Sequence, residues 1–337
     1  WCWGANDVGQ LGDSVNPFES TPIAAIAVVP MDPIREVQAL NHTCLRSEQG
    51  NVRCFGDNGS NQVDPALMQP TAPATPATWI PGANHVGAGI SHSCGTDGVN
   101  MVCWGSNGQS QLTGAVAGPG PVTFASATVD QLVIGGNHGC YIQSGSLLCW
   151  GGNSQGQLAQ DPTLVPVVET PTAIAVASPT DVALGRNHSC ALSMDGAISC
   201  WGRNDAGQLG DGTGMQQLAP VAVALPPEAD TPIEIEAGFN QTCMINDFGE
   251  LWCWGSNASG QLMLEPDEMG NDELTLVPRP IEIGVPVLAV VTGQTHSCVL
   301  TDDARVLCWG TNTAGQIGDG STTYAFEPRE VLLACPS

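Results

Sequence analysis

Cysteine and histidine recur side by side along the chain, in "NHTC" (41–44), "SHSC" (91–94), "NHGC" (137–140), "NHSC" (187–190) and "THSC" (295–298). Each of these cysteines is followed nine or ten residues later by another, giving Cys44 and Cys54, Cys94 and Cys103, Cys140 and Cys149, Cys190 and Cys200, and Cys298 and Cys308. Cys243 and Cys253 make a sixth pair, with Gln241 where the others carry histidine. Two chemistries suit such a set. Zinc wants four converging ligands, commonly with short C-x₂₋₄-C spacing, and each repeat offers two cysteines and at most one histidine. A disulfide needs only that the two cysteines oppose each other on antiparallel strands. The spacing favours six disulfides, each closing a loop that stabilises by about 2–3 kcal/mol in the chain-entropy picture. That places the protein in an oxidising compartment, outside the cytosol. A bond between the two cysteines left over, Cys2 and Cys335, would staple the ends of the chain together.

Amides form a second regular set. Asn6, Asn58, Asn107, Asn153, Asn204, Asn257 and Asn312 each stand two residues after a glycine, and each is followed four residues later by Gln10, Gln62, Gln111, Gln157, Gln208, Gln261 and Gln316. A ring of seven amides could bind a ligand. Residues identical in every repeat serve what every repeat does, however, so asparagine is expected to close its turn on its own backbone and glutamine to bond a neighbouring repeat. The residue before the glutamine is glycine in five copies, Asn61 in one and Ser110 in another. That choice predicts a left-handed turn residue.

The elements that must hold these residues follow from the intervals. Cys2, Cys54, Cys103, Cys149, Cys200, Cys253 and Cys308 are 46 to 55 residues apart. A period near 50 suits propeller blades better than helical solenoids. Within 181–225, "DVALG", "HSCALSM", "AISCWG" and "APVAVAL" read as four strands, with "DG" as the hairpin turn between the second and third. The expectation is an all-β propeller of six complete four-stranded blades plus a partial seventh. The whole of 1–337 is one propeller domain, with a partial blade over 1–26 and repeats over 34–81, 83–128, 130–173, 181–225, 232–283 and 286–333. The chain begins inside a motif copy, so upstream sequence is expected.

Composition narrows the function. Eight basic residues, all arginine, stand against 33 acidic ones, for a net charge of −25. With no lysine, the P-loop and Schiff-base lysines and a Ser–Lys pair are excluded. The charge argues against a nucleic-acid partner. No apolar run approaches the length of a membrane-spanning helix, so no membrane insertion is expected, and no cationic leader precedes an apolar stretch. Neither G-x-S-x-G nor H-E-x-x-H occurs. Five N-x-S/T sequons, at Asn41, Asn58, Asn187, Asn240 and Asn257, include three that fall inside the "N-H/Q-S/T-C" motif and read as its by-products.

The stretch "NHSCALSMDGAISCWGRNDAGQLGDGT" (187–213) resembles the repeat of the regulator of chromosome condensation family. The resemblance runs over nearly the whole chain. It implies a seven-bladed propeller, and the cysteine-bearing form resembles the secreted bacterial branch. The eukaryotic namesake exchanges guanine nucleotides on a small nuclear GTPase and docks on nucleosomes. The acidic charge and paired cysteines depart from that biology, so no exchange residue is carried over.

Function in a propeller sits where blades differ. Two insertions stand out: 64–82, with Met68 and Trp79, and 263–278, with Glu265, Asp267, Glu268, Asp272 and Glu273. These are the candidate binding residues. The acidic insertion is the only place where a structural calcium is considered; no other cofactor or metal is expected, and no catalytic residue is assigned. The reading is an extracellular or cell-surface scaffold that binds a protein or surface glycan through its faces and variable loops. The alternative is a secreted hydrolase or lyase working in the central channel, and nucleotide exchange ranks last.

Overall fold

The computed structural model describes residues 1–12, 17–23, 33–65, 71–112, 122–125, 128–263 and 273–333. Among them the only helical element is one short 3-10 turn, Pro227–Ala229; the rest is strand, turn and loop. Six four-stranded antiparallel sheets and one two-stranded sheet account for the strands. Blade 1 holds Ile34–Ala39, His42–Ser47, Val52–Asp57 and Thr71–Pro76. Blade 2 holds His85–Ala88, His92–Thr96, Asn100–Gly105 and Val122–Ala125. Blade 3 holds Gln131–Ile134, His138–Gln143, Ser146–Gly152 and Val167–Ile174, and blade 4 Pro179–Leu184, His188–Ser193, Ile198–Gly202 and Gln217–Ala222. Blade 5 holds Pro232–Ala237, Gln241–Asn246, Leu251–Ser256 and Leu274–Ile281, and blade 6 Val287–Thr292, His296–Thr301, Val306–Gly310 and Ala325–Glu330. The partial blade is Cys2–Ala5 paired with Phe18–Ile23, the third and fourth strands of the pattern. We call it the half-blade.

First strands of successive blades touch one another, and each second strand from blade 1 to blade 5 touches the first strand of the next blade. The first strand therefore lines the channel and the fourth lies at the rim.

All six expected disulfides form, across directly opposed residues with Cα–Cα 4.1 Å. Cysteines thus oxidised cannot ligate zinc. The turn arithmetic holds as well. Between Cys140 and Cys149 the hairpin closes on Ser144 and Gly145, both at positive φ as a type I′ turn requires. Cysteines ten apart enclose one more residue, as at 194–196, where Gly196 takes the left-handed position.

The core lies in the seams between blades. Trp104, Trp150, Trp201, Trp254 and Trp309 on the third strands are fully buried, and Phe55 fills the same place in blade 1. Trp201 packs among residues of blade 3 and Trp254 among residues of blade 4, so each tryptophan reaches back to the preceding blade. Burying such a ring at each seam supplies several kcal/mol of apolar transfer free energy, which makes stacking the main source of stability.

Candidate functional site

The histidines are absorbed by the seams. His42 Nε2 lies 2.6 Å from Ser93 Oγ, His138 Nε2 3.0 Å from Ser189 Oγ, and His188 Nε2 2.9 Å from Thr242 Oγ1, each hydroxyl belonging to the next blade. Those hydroxyls donate at 2.8 Å to the backbone carbonyls of Gln62, Gln157 and Gln208. A hydroxyl proton committed to a carbonyl leaves only lone pairs for the imidazole, so Nε2 carries a hydrogen. Burial holds His42, His92, His138 and His188 at a pKa of about 3 and His296 at about 4. A neutral ring that already donates through Nε2 is not poised as a general base. His92 has Gly139 where its hydroxyl partner would stand, and neither of its ring nitrogens is bonded. Gly139 is small because Trp150 lies over it, 2.6 Å from where a Cβ would sit.

The amides are structural too, with one difference from expectation. Every asparagine Oδ1 accepts from the backbone N–H five residues on, at 2.8 to 3.0 Å, closing its own loop as expected. The glutamine side chain also stays at home: its Oε1 accepts from the N–H two residues earlier in all seven copies. What reaches the neighbouring blade is the glutamine backbone carbonyl. It accepts the hydroxyl and, in five seams, the indole N–H, for example from Trp201 at 2.9 Å and Trp254 at 3.0 Å. The glutamine side chain rigidifies the loop so that its carbonyl is aimed outward. Asn61 and Ser110 take positive φ like the glycines they replace.

The channel wall carries carboxylates that reach sideways. Glu36, Gln131, Asp181 and Glu234 occupy one register position on four first strands. Each accepts from a backbone N–H on the next blade, of Val86, Val182, Ile235 and Val290 respectively, at 3.0 to 3.3 Å. First strands do not pair with each other through a backbone ladder, and these side chains replace it. Desolvation raises the carboxyl pKa of Asp181 and Glu234 above the usual range. Glu236, also on the wall, is pushed up to about 8 by burial and by the charges of Asp181 and Glu234. Beside it a cavity of about 30 Å³ is lined by Gly136, Gly185, Arg186, Gly238, Phe239 and Thr292. That volume holds about one water. The Arg186 guanidinium lies 5.2 Å from the Phe239 ring at this mouth.

Of the candidate binding residues, Met68, Glu265, Asp267, Glu268 and Asp272 lie outside the described residues, as does Cys335. Trp79 packs edge-on against Trp104, with ring centroids 5.6 Å apart, and is partly buried in the seam of blades 1 and 2. It caps that seam. Glu273 is exposed, and its backbone carbonyl accepts from Asn257 N–H. Cys2 is a thiol whose pKa burial raises, with no disulfide partner among the described residues.

The surface that sequence reasoning missed is the hairpin-tip face, where second strands turn into third strands. Met194 and Phe248 stand exposed at the tips of blades 4 and 5. Ile233 and Leu288 are exposed beside them, on the first strands of blades 5 and 6. Both sit at register shifts, between Pro232 and Glu234 and between Val287 and Ala289, and such bulges re-aim a side chain. Asp195, Asp230, Asp247 and Asp302 share the face. The arginines there, Arg35 and Arg305, are already paired with Glu48 and Asp303.

Seams and loops of this kind are shared with known repeats. Residues 144–192, 195–245 and 249–300 match the family described as the Regulator of chromosome condensation (RCC1) repeat. Residues 40–62, 180–208, 233–261 and 287–316 match a second family of the same description. The chain belongs to the RCC1 repeat family. Among curated proteins it is 31% identical over 154 residues to the human probable E3 ubiquitin-protein ligase HERC6, covering 44% of this chain and 15% of that protein. It is 33% identical over 158 residues to mouse HERC4, covering 45% and 14%. This RCC1-repeat chain thus spans only a small part of the length of those relatives. Human WBSCR16 superposes with a TM-score of 0.86 at 19% identity, over 98% of this chain and 94% of that one. Prp20p from Saccharomyces cerevisiae gives 0.83 at 20% identity, over 98% and 85%. The ectodomain of the receptor kinase CR4 from Physcomitrella patens gives 0.52 at 20%, over 84% and 63%. At these identities the structures establish the shared propeller fold.

Proposed function

We propose that this RCC1 propeller is an extracellular or cell-surface scaffold that binds another protein through its hairpin-tip face. One observation carries the reading: Met194, Ile233, Phe248 and Leu288 are exposed on three adjacent blades, among exposed aspartates. Large apolar side chains with a polar rim characterise protein interfaces. The charge of the rim selects a partner with a basic surface and speeds its approach.

Six disulfides favour an oxidising compartment. The CR4 propeller belongs to a receptor ectodomain, which agrees with a surface role. Protein binding is also what the description of Prp20p records, toward Gsp1p and histones. Catalysis in the channel has less support, because the carboxylates of Asp181 and Glu234 are engaged by neighbouring N–H groups.

The test is capture from a cell-surface extract under oxidising conditions, with the wild-type chain beside Met194→Ser/Phe248→Ser. The expected result is a protein retained by the wild type, eluted by salt, and weakened roughly a hundredfold by the double variant, since two central apolar anchors are removed. Equal capture by a variant of unchanged thermal stability would place the interface elsewhere, and retention of glycan alone would replace the protein partner.

A further inference from the structure

The turns between first and second strands narrow one end of the channel, opposite the hairpin tips, and they are linked from blade to blade. Ile90 N–H donates to the Gly136 carbonyl and Gly136 N–H to the Gly185 carbonyl, both at 3.2 Å. Arg186 N–H reaches the Phe239 carbonyl at 3.4 Å, and Phe239 N–H the Gly293 carbonyl at 3.5 Å. These turns need glycine: a Cβ on Gly185 would lie 2.5 Å from the Gly238 carbonyl, and one on Gly238 2.6 Å from the Gly293 carbonyl. The next position does vary, and reads Leu40, Ile90, Gly136, Arg186, Phe239 and Gln294 around the ring. Function in a propeller is expected at such positions.

Blades 4 and 5, each flanked by complete blades, place an arginine and an aromatic ring there. The exposed Arg186 guanidinium stacks over the Phe239 ring, 5.2 Å from its centroid. Stacking uses the flat face of the guanidinium and leaves its N–H edge to donate. No carboxylate or carbonyl takes that edge among the described residues, whereas Arg35, Arg46, Arg203, Arg305 and Arg329 are all in ion pairs. Arg53 and Arg279 also lack an ion pair, but they lie on a third and a fourth strand, away from the channel. Directly beside Arg186 is the cavity of about 30 Å³, walled in part by Leu184, Ala237, Phe239 and Thr292. Its volume is that of about one water, and a methyl group is of similar size. Thr292 Oγ1 is buried there with no hydrogen-bond partner among the described residues.

We propose that this mouth binds the carboxyl-terminal end of a partner polypeptide, with the terminal carboxylate on the Arg186 guanidinium and a small last side chain in the cavity. The carboxylate accepts two parallel N–H bonds from the guanidinium edge, the strongest arrangement open to such a pair. Phe239 holds the guanidinium in place beforehand, so less side-chain freedom is lost on binding. At a chain end the carboxylate and the last side chain branch from one Cα, so a methyl group enters the cavity while the carboxylate stays on Arg186. An aspartate or glutamate within a chain has no such branch, and its backbone would have to cross the whole mouth. The Thr292 hydroxyl supplies a further donor at the cavity wall. Glu236 accepts from the Thr292 N–H and keeps its proton up to about pH 8, so it does not repel the incoming anion at neutral pH.

The probe is N-acetyl-trialanine with a free carboxyl terminus, beside its carboxyl-terminal amide and sodium propionate. Correlation spectra of ¹⁵N-labelled protein that include the arginine Nε–H report on the site. The expected result is a saturable shift of Arg186 Nε–H and of the Phe239 and Thr292 amides with the free acid. Affinity should fall roughly tenfold or more for the amide and in Arg186→Gln, because the charge-assisted fork is lost. Arg186→Lys, which keeps the charge without the fork, should fall between. Thermal midpoints without peptide check that both variants are folded. Equal affinity for the amide, binding unchanged in Arg186→Gln, or no saturable shift would each overturn the inference. Propionate binding as tightly as the peptide would overturn the assignment to a chain end. The hairpin tips lie at the other end of the channel, so Met194→Ser/Phe248→Ser should bind the peptide like the wild type. Failure here and failure of the hairpin-tip reading are therefore distinguishable.

Discussion

The seam between blades 4 and 5 and the seam between blade 6 and the half-blade are built from the same residues but end differently. In the first, His188 finds Thr242, Leu192 is covered by Ile235, and Trp254 donates to the Gln208 carbonyl. In the second, Trp3 still donates to Gln316, but among the described residues no first or second strand stands opposite Leu300 and His296. The comparison teaches where the energy lies. Third strands bury their indole rings in the seam, and first and second strands add the apolar side chains that pack beside them. The residues that looked most like chemistry, Cys, His and Gln, are the ones that join the two halves.

Substitutions matched across the two seams measure this. Leu192→Ala should cost about 3 kcal/mol, as for a buried leucine that leaves a cavity, and Leu300→Ala less than about 1 kcal/mol. Denaturant midpoints at constant m-value check both, and equal losses would mean that the open seam is already covered. Gly185→Ala comes next: its Cβ would meet the His188 ring at 2.1 Å and the Gly238 carbonyl at 2.5 Å, with cost expected near 3 kcal/mol from overpacking. Gly145→Ala is the control, since it keeps a positive φ but meets nothing within 4 Å, and should lose only about 1 kcal/mol. Removing one clip with Cys190→Ser/Cys200→Ser should lower stability by about 2–3 kcal/mol and leave the far-ultraviolet spectrum unchanged.

Acidification acts on four of the seams at once. Between pH 6.5 and about 3 the unfolded chain takes up protons at His42, His92, His138 and His188 that the folded chain refuses, so stability falls on acidification. Glu236 works the other way. Its folded pKa of about 8 lies above the ordinary 4.5, so it contributes stability at low pH that is lost as pH rises through about 8. Denaturant midpoints are expected to fall steeply below pH 6.5 and gently above it. Glu236→Gln should flatten the limb above pH 6.5 and steepen the acid limb between pH 4.5 and 6.5, where Glu236 opposes the histidines.

Much of this could be read beforehand, for physical reasons. Disulfides, strand order and the left-handed turns at Asn61 and Ser110 follow from local spacing and backbone sterics, which a sequence displays directly. The role of glutamine was half right, because nothing local tells whether a side chain or its carbonyl faces the neighbour. The wall formed by Glu36, Gln131, Asp181 and Glu234 was hidden, since its members differ in type and share only a register position. Ile233 and Leu288 were hidden by the bulges. A one-residue shift turns Ile233 out to solvent while Ile235, two positions along, stays buried.

The central claim is that His42, His138 and His188 are neutral hydrogen-bond donors at blade seams. Long-range ¹H–¹⁵N correlation spectra of histidine-labelled protein, recorded from pH 8 to 4, test it directly. The account predicts the Nε2–H tautomer for His42, His138 and His188, with no titration in that range. Protonation of these rings near pH 6.5, or the Nδ1–H tautomer, would contradict it and return the histidines to the candidates for catalysis.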